Sequence, residues 1–466
     1  MTPLRDPRFR LLWTGQTLSH IGDAVTPVAL ALAIVTATGS AIDLGLVLAA
    51  QSAATVALML PGGVWADRLP RQRVMLVADV VRGLAYTAIG IELITGTVDI
   101  VHLAVLAAIC GAATAFFLPA TTGLVPATVD AEHLARANAL MAIAKRGSML
   151  LGPGIATALA LTAGPGWALI LDAATFAVSA VLLGRLRLAP IPSAPRERFG
   201  RQLVEGWTVL RRHRWYWTNL IGHALWNLGR CVLITLGPLI AVTGLGGQLA
   251  WGTIVQGGTV GALCGALLAL RARPRSPLVA ANLALALGAL PLVTLAAGAP
   301  ALVVAAAYGL MAGGLAFMSP FWETAVQEHI PAEAISRVSA YDWMLSLGLM
   351  PLGMALAGPL SAVAGTAPTL YGAAALIALS CLGVLALPDV RRLGRANAEA
   401  GPPDREPLSP SGEAPGDLPP AGREPTGLHP SGQAPTGLRQ SGRTPGRPDQ
   451  GAADTSLGTA PSNSRV

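Results

Sequence analysis

Gly63-Val64-Trp65-Ala66-Asp67-Arg68-Leu69-Pro70-Arg71-Gln72-Arg73 is a short, arginine-rich break between two long apolar runs, 41–66 and 72–95. Each run exceeds the ~20 residues that a helix needs to cross the hydrocarbon core of a bilayer. Similar breaks recur on every second connection. Residues 8 to 388 divide into twelve apolar segments. The connections after the even-numbered segments, with both chain ends, hold the bases: Arg5, Arg8 and Arg10; Arg68, Arg71 and Arg73; Arg185 through Arg214; Arg271, Arg273 and Arg275; Arg391, Arg392 and Arg395. The connections after the odd-numbered segments, such as 36–43, 92–99 and 243–249, contain no Lys or Arg. Positive charge concentrates on the cytoplasmic side of membrane proteins. This alternation therefore predicts an even number of spans with both ends in the cytoplasm.

Composition points the same way. Charged residues make up 12% of the chain and hydrophobic residues 53%, whereas a soluble domain carries about 25% charged residues. The net charge of +7 is topological and faces anionic lipid, so a nucleic-acid partner is not expected. Cys110, Cys231, Cys264 and Cys381 all lie within apolar segments at spacings that match no metal site or disulfide framework. The first apolar segment is too long for the core of a cleavable signal peptide.

The segments divide six and six around 188–213, a connection rich in Arg and Pro. Its stretch Arg201–Arg212 fits either a short amphipathic helix on the membrane surface or a solvated basic linker. The two sides echo each other. Leu118-Pro119, Arg136 and Gly152 match Ser319-Pro320, Arg337 and Gly353 at one common offset, and His20-Ile21-Gly22-Asp23 matches Asn227-Leu228-Gly229-Arg230. Duplicated halves of this kind mark transporters that hold their substrate at the midplane between the repeats. The expected architecture is an all-α membrane protein of twelve transmembrane helices in two pseudo-symmetric six-helix bundles. Residues 1–187 form the first bundle, 188–213 the cytoplasmic linker and 214–390 the second bundle. Residues 391–466 form a Pro/Gly-rich tail in which Gly412, Gly422, Gly432 and Gly442 recur with Pro415, Pro425, Pro435 and Pro445. Such a composition buries too little apolar surface to offset ordering entropy, so the tail is expected to be disordered.

The break quoted first resembles the loop signature of the major facilitator superfamily through Gly63, Asp67, Arg68, Arg71 and Arg73. Pro70 stands where the family has Gly, and Gln72 where it often has a base. The resemblance implies a cytoplasmic gate at these residues, with Arg136 and Arg337 in the matching positions of the two halves. Charge alone supports that role. Asp67 can meet the positive N-terminus of a neighbouring helix, and the arginines can reach carboxylates or helix-end carbonyls. The fifth segment carries Gly147-Ser148-Met149-Leu150-Leu151-Gly152-Pro153-Gly154. It resembles the Gly-Pro kink of exporters in that family, with Gly147, Gly152 and Pro153 as its core, although Ile155 and Ala156 depart from it. A generic packing kink would use the same residues. The fourth segment lacks the Arg of many drug:proton antiporters. Asp79-Val80-Val81-Arg82-Gly83, Gly22-Asp23 and Leu171-Asp172 instead resemble the branch containing macrolide and enterobactin exporters.

Ionisable groups inside spans are functional candidates by default. Asp23 and Arg230 are the deepest and occupy matching places in the two halves, so they are expected to face each other as a proton-coupling pair. Asp79 and Arg82 share one helix face and can neutralise each other. Asn227 and Trp226 are expected on the substrate cavity, and Trp217, Trp322 and Trp343 lie in cavity-prone segments. Glu323 and Asp342 are expected to make gating contacts with Arg136, Arg146 or Arg337.

The expected activity is proton-coupled export of small amphipathic organic molecules across the cytoplasmic membrane. The spans hold few Asn or Gln residues to line a polar path, which disfavours the main rival, an uptake carrier for a small polar solute. A non-transporting membrane sensor acting through the tail is the other alternative. No catalytic residues, metal or cofactor are expected, the partners are substrate, protons and lipid, and the chain is expected to be monomeric.

Overall fold

The computed structural model describes residues 3–122, 124–186, 207–330 and 332–392. The expectations for most of 188–213 and for the tail beyond 392 lie outside these residues. The described residues are helical throughout, with no strand. In chain order the helices are α1 (Pro7–Thr38), α2 (Ala41–Arg68), α3 (Arg71–Thr95), α4 (Ile100–Thr122), α5 (Leu134–Thr162) and α6 (Pro165–Arg185). They continue with α7 (Arg214–Gly244), α8 (Gln248–Arg271), α9 (Pro277–Ala286), α10 (Leu290–Ala296) and α11 (Ala301–His329). The last are α12 (Ala332–Gly348), α13 (Met350–Ala364), α14 (Thr366–Leu385) and the short α15 (Pro388–Arg392).

Eleven segments among the described residues are long and apolar enough to cross a membrane. Two of them join consecutive helices. A 3₁₀ turn at Leu287–Ala289 links α9 to α10, where Pro291 withholds a backbone donor. The second joins the end of α12 to α13 through Leu349, just before Pro351. The remaining expected span, α5, has 29 residues. Arg136, Lys145 and Arg146 in its first half keep it below the apolarity of the others.

The helix ends explain the alternating connections. Among the described residues seven glycines have positive φ: Gly39, Gly96, Gly164, Gly246, Gly247, Gly298 and Gly365. All seven fall in the arginine-free connections. The left-handed conformation reverses the chain in one or two residues, and only glycine adopts it without strain. At the first of these turns α1 ends on Gly39, and Ser40 caps α2 by accepting the Asp43 N–H at 3.2 Å. The arginine-rich ends use other devices. Asp6 caps α1 by accepting the Arg8 N–H at 2.8 Å, and the Arg8 guanidinium holds its carboxyl below the usual carboxylate range. α2 runs on through Arg68, two residues beyond the expected boundary, so Gly63, Asp67 and Arg68 sit on its last turns. The break itself is only Leu69-Pro70, and Arg71 and Arg73 open α3.

Helices α1 to α6 pack among themselves, as do α7 to α14. In the first group α2 lies on α4, α3 on α6, and α1 on α5 and α6. In the second α8 lies on α11, α7 on α13 and α14, and α9 on α11. Small residues set the closest approach. A Cβ at Gly261 would collide with the carbonyl of Gly309, and one at Gly265 with that of Gly313. These glycines seat α8 directly on the α11 backbone. The two groups touch chiefly through α2–α13 and α5–α8. Gly45 faces the Met354 carbonyl, Gly358 faces Ile42, and Gly252 faces Thr157. Gln256 Nε2 donates to the Leu150 carbonyl at 3.2 Å. These contacts cluster toward the arginine-free ends of the helices.

Candidate functional site

Three charged residues of the spans, Asp23, Asp79 and Arg82, converge within the first group of helices. Arg82 of α3 is the centre. Its side chain is 3% exposed and lies between the rings of Phe117 and Phe176, each 4.2 Å from the guanidinium carbon. It pairs with Asp79 one turn earlier on the same helix, as the spacing predicted. It also reaches Asp23 of α1 at 3.3 Å. Asp79 Oδ2 accepts a second hydrogen bond from Ser179 of α6 at 2.7 Å. One planar guanidinium thus joins two carboxylates from two helices while its faces rest on aromatic rings.

The carboxylates differ in access. Asp79 is buried, whereas the Asp23 side chain is 41% exposed. Ionisable groups within spans favour the bundle interior or a water-filled cavity over hydrocarbon. Beside it, Gly152 of α5 packs on the backbone of Ala24, so closely that a Cβ there would collide. The Gly-Pro motif of α5 therefore rests on α1 one residue from Asp23. Gly147, at the start of that motif, has nothing within 4 Å of its Cβ position, and the Pro153 carbonyl accepts the Thr157 hydroxyl at 2.8 Å.

Arg230 of α7 does not meet Asp23 in this conformation. Among the described residues no carboxylate lies within ion-pair distance of it, its Nε is buried without a partner, and its guanidinium lies 5.7 Å from the Trp226 ring. Trp226 is 2% exposed and donates to the Leu285 carbonyl at 2.9 Å, so it joins α7 to α9 as packing. Asn227 Nδ2 donates to the carbonyls of His223 and Ser346, each at 3.1 Å, and joins α7 to α12.

Among the described side chains, Asp342 of α12 meets an aromatic cluster. It accepts hydrogen bonds from Trp322 Nε1 at 2.8 Å, Tyr216 Oη at 3.1 Å and Ser346 Oγ at 3.1 Å. Tyr216 and Trp322 stack with ring centres 5.1 Å apart, and His223 meets Trp322 edge-on at 4.9 Å. Burial pushes the nearby His213, in the connection before α7, below the usual histidine range.

At the expected gate, the side chains of Gly63, Asp67, Arg68 and Arg337 lie outside the described set. Arg73 and Arg136 are exposed. Gln72, where the family often has a base, donates from Nε2 to the carbonyls of Leu183 and Leu186, each at 2.5 Å. It thereby satisfies the C-terminal end of α6. The expected amphipathic stretch is described only over 207–212, which is helical, buries Leu210 and exposes Arg211 and Arg212. Trp207 there leans on Tyr341 at 5.7 Å.

A cavity of about 1080 Å³ lies apart from the charged cluster, between α5, α8, α9 and α11. Gly154, Thr157, Gln256, Gly261, Leu310 and Phe317 are among its lining residues, and the lining holds no Asp, Glu, His, Lys or Arg. Its exposed rim is leucine-rich, including Leu249, Leu268 and Leu302. Its chemistry is that of a lipid-facing groove, so the charged cluster is the better candidate site.

Residues 12–346 match the Major Facilitator Superfamily. The chain is 27% identical over 409 residues to the multidrug efflux pump Tap of Mycobacterium tuberculosis, covering 84% of this chain and 96% of that one. It is 24% identical over 388 residues to the enterobactin exporter EntS of Shigella boydii serotype 18, covering 82% and 91%. Among solved structures it resembles the nucleoside transporter NupG, with a TM-score of 0.62 and 13% identity over 81% of this chain and 98% of that one. It also resembles a bacterial homologue of the human lysosomal transporter Spinster in an inward-facing, occupied conformation, with a TM-score of 0.60 and 16% identity over 84% and 98%.

Proposed function

The chain belongs to the Major Facilitator Superfamily, and from that premise we propose that it is a proton-coupled exporter of small amphipathic organic molecules. It works in the cytoplasmic membrane, as a monomer, with both ends in the cytoplasm. The observation that carries this reading is the guanidinium shared by Asp23 and Asp79. Asp79 is buried, so its charge is held by Arg82 in every state that keeps α3 intact. Asp23 is exposed, and its bond to Arg82 can be exchanged for a proton or for a cationic part of the cargo. Both relatives named above are exporters, which supports outward transport.

With the arginine-rich ends inside, the contacts of α2 with α13 and α5 with α8 lie toward the outer face. The conformation is then inward-facing, and Asp23 faces a cleft open to the cytoplasm. Residues 1–187 and 214–390 are the two moving bodies. Rocking them would open and close the cleft between the bodies and change the water around Asp23, while the Gly152–Ala24 contact moves with the first body as a unit. The aromatic cluster around Asp342 suits the ring systems of an amphipathic cargo. Lipid chains cover the apolar groove between α5 and α8.

Expression in an efflux-deficient bacterium tests the proposal. Accumulation of a panel of amphipathic antibiotics and fluorescent dyes should fall when the chain is produced. It should return to the control level when an ionophore collapses the proton gradient. Raised accumulation of the panel would point to uptake instead. Unchanged flux, with a phenotype abolished by deleting 396–466, would point to a sensor.

A further inference from the structure

A third carboxylate stands behind the first two. Asp172 of α6 is 0% exposed and has no guanidinium or ammonium within ion-pair distance among the described residues. Its Oδ2 accepts the Thr26 hydroxyl of α1. Its Oδ1 lies 3.3 Å from Thr175 Oγ1, but that hydroxyl already donates to the Asp172 backbone carbonyl at 2.7 Å. A hydroxyl has one hydrogen. With it spent on the carbonyl, the contact at Oδ1 brings two oxygens together with no hydrogen between them unless the carboxyl supplies one. Opposite Oδ1 is Gly22, where any Cβ would collide with the carboxyl, so no other side chain can be placed there to serve it.

Charge leads to the same place. The ionisable groups that act on Asp172 are Asp23 on α1, Arg82 and Tyr86 on α3 and Cys110 on α4; Asp79 on α3 and His20 on α1 stand next to Asp23 and Arg82, with Lys145 on α5 beyond His20. Three carboxylates share one buried guanidinium, and that guanidinium is already bonded to the other two. A buried charge left without a counter-charge is among the costliest arrangements in a protein. Two buried polar atoms on the same helices as Asp23 and Asp79 lack a partner. Ser19 Oγ, one turn before Gly22 on α1, is buried with no partner, and so is Arg82 Nε. Buried polar atoms of this kind are commonly served by internal water, through which a proton can pass.

We propose that Asp172 is a second proton-binding site of this transporter, protonated at Oδ1 in this conformation and donating to Thr175 Oγ1, with Asp23 as the carboxylate that exchanges the proton with the cleft. The transfer is a proton passing from one carboxyl to another carboxylate, with no change of oxidation state. The role of Asp172 in transport rests on the proton-coupled reading above, whereas its protonation does not.

Infrared spectroscopy of the purified full chain in lipid nanodiscs at neutral pH tests the protonation without any cargo. The expected result is a protonated-carboxyl C=O band that shifts in D₂O, is lost in Asp172→Asn and is retained in Asp23→Asn. In Thr175→Val the band should persist but move to higher frequency, because the acceptor of its hydrogen is gone. Absence of the band from the unmodified chain, its survival in Asp172→Asn, or an unmoved band in Thr175→Val would each overturn the assignment. Proteoliposomes loaded with ethidium as probe test the role. Asp172→Asn should exchange ethidium but build no gradient of it under an imposed pH difference. If it still builds one while the infrared result holds, Asp172 carries a proton that is not transported. If the unmodified chain builds none, the exporter reading fails for this probe and the infrared assignment stands.

Discussion

Arg82 of α3 binds Asp23 of α1 at 3.3 Å within one group of helices, while Arg230, which occupies the matching place to Asp23 in the sequence repeat, has no carboxylate beside it among the described residues. Arg82 is therefore the counter-ion of both Asp23 and Asp79. Replacing it with Met should leave Asp79 buried and unpaired and remove the cation from between Phe117 and Phe176. The expected loss of stability is about 3–5 kcal/mol, the usual cost of removing one partner from a buried pair. Thermal unfolding in detergent measures it. Arg82→Lys should recover only part of that loss, because an ammonium cannot lie flat between two rings while binding two carboxylates. Full recovery by lysine would reduce Arg82 to a point charge.

The two glycines of the α5 motif should respond differently. Gly147→Ala meets nothing within 4 Å and removes backbone freedom from a helix, so it should be neutral or stabilising by roughly 0.5–1 kcal/mol. Gly152→Ala drives a methyl into Ala24 of α1. It should push α5 off α1, lower thermal stability and impair flux. Equal tolerance at both positions would remove the argument that α5 is seated on α1 beside Asp23.

Gln72 ties the start of α3 to the end of α6 through the Leu183 and Leu186 carbonyls. Gln72→Ala frees both acceptors, at about 0.5–1.5 kcal/mol for each bond. Gln72→Arg, the residue type that the family often carries here, should retain most of the stability because its fork can donate to both carbonyls. A melting temperature unchanged in Gln72→Ala would show that water replaces the side chain at no cost.

The architecture was legible because its two determinants are local. Span length follows from uninterrupted apolar runs, and the connections from the short breaks between them. Even the turns were visible after the fact, since each arginine-free connection contains a glycine that proves to be left-handed, from Gly39 to Gly365. The Asp79–Arg82 pair was equally local, being one turn apart on one helix. The partner of Asp23 was not, because it depends on how far α1 is rotated against α3 and α6. The repeat suggested symmetry-related positions would meet across the cleft. Gly22 held the better signal: a glycine beside a membrane-embedded aspartate leaves room for something bulky from another helix, here Asp172. Trp226 was misleading for a related reason. Its depth resembles that of a cavity residue, but its indole N–H is already used by the Leu285 carbonyl.

Orientation can be checked directly. In a chain stripped of its four cysteines, single cysteines at Thr97 and Thr243 should react with a membrane-impermeant thiol reagent added to whole cells. Both positions are exposed and flank arginine-free connections. Cysteines at Arg212 and Arg273, exposed in the arginine-rich connections, should react only after the membrane is opened. The reverse pattern would invert the topology and make this conformation outward-facing.

A pair of double-mutant cycles separates the two possible partners of Asp23. In Asp23→Asn, Arg82 keeps Asp79 and both aromatic faces, so the variant should fold and unfold close to the unmodified chain. The interaction itself should still be measurable. Residues in one ion-pair network give coupling energies of roughly 0.5–3 kcal/mol, whereas distant sites add within about 0.3–0.5 kcal/mol. The Asp23→Asn and Arg82→Lys cycle should fall in the first range, and the Asp23→Asn and Arg230→Gln cycle in the second. Transport adds the functional half of the test. Asp23→Asn should retain exchange of a dye such as ethidium between equal pools but lose accumulation under a pH difference, since the carboxylate that trades Arg82 for a proton is gone. Adding Arg230→Gln should restore nothing, because no charge on Arg230 was balanced by Asp23. Recovery of accumulation in that double variant would mean that Asp23 and Arg230 meet in another conformation of the cycle, and would make Arg82 only the resting partner.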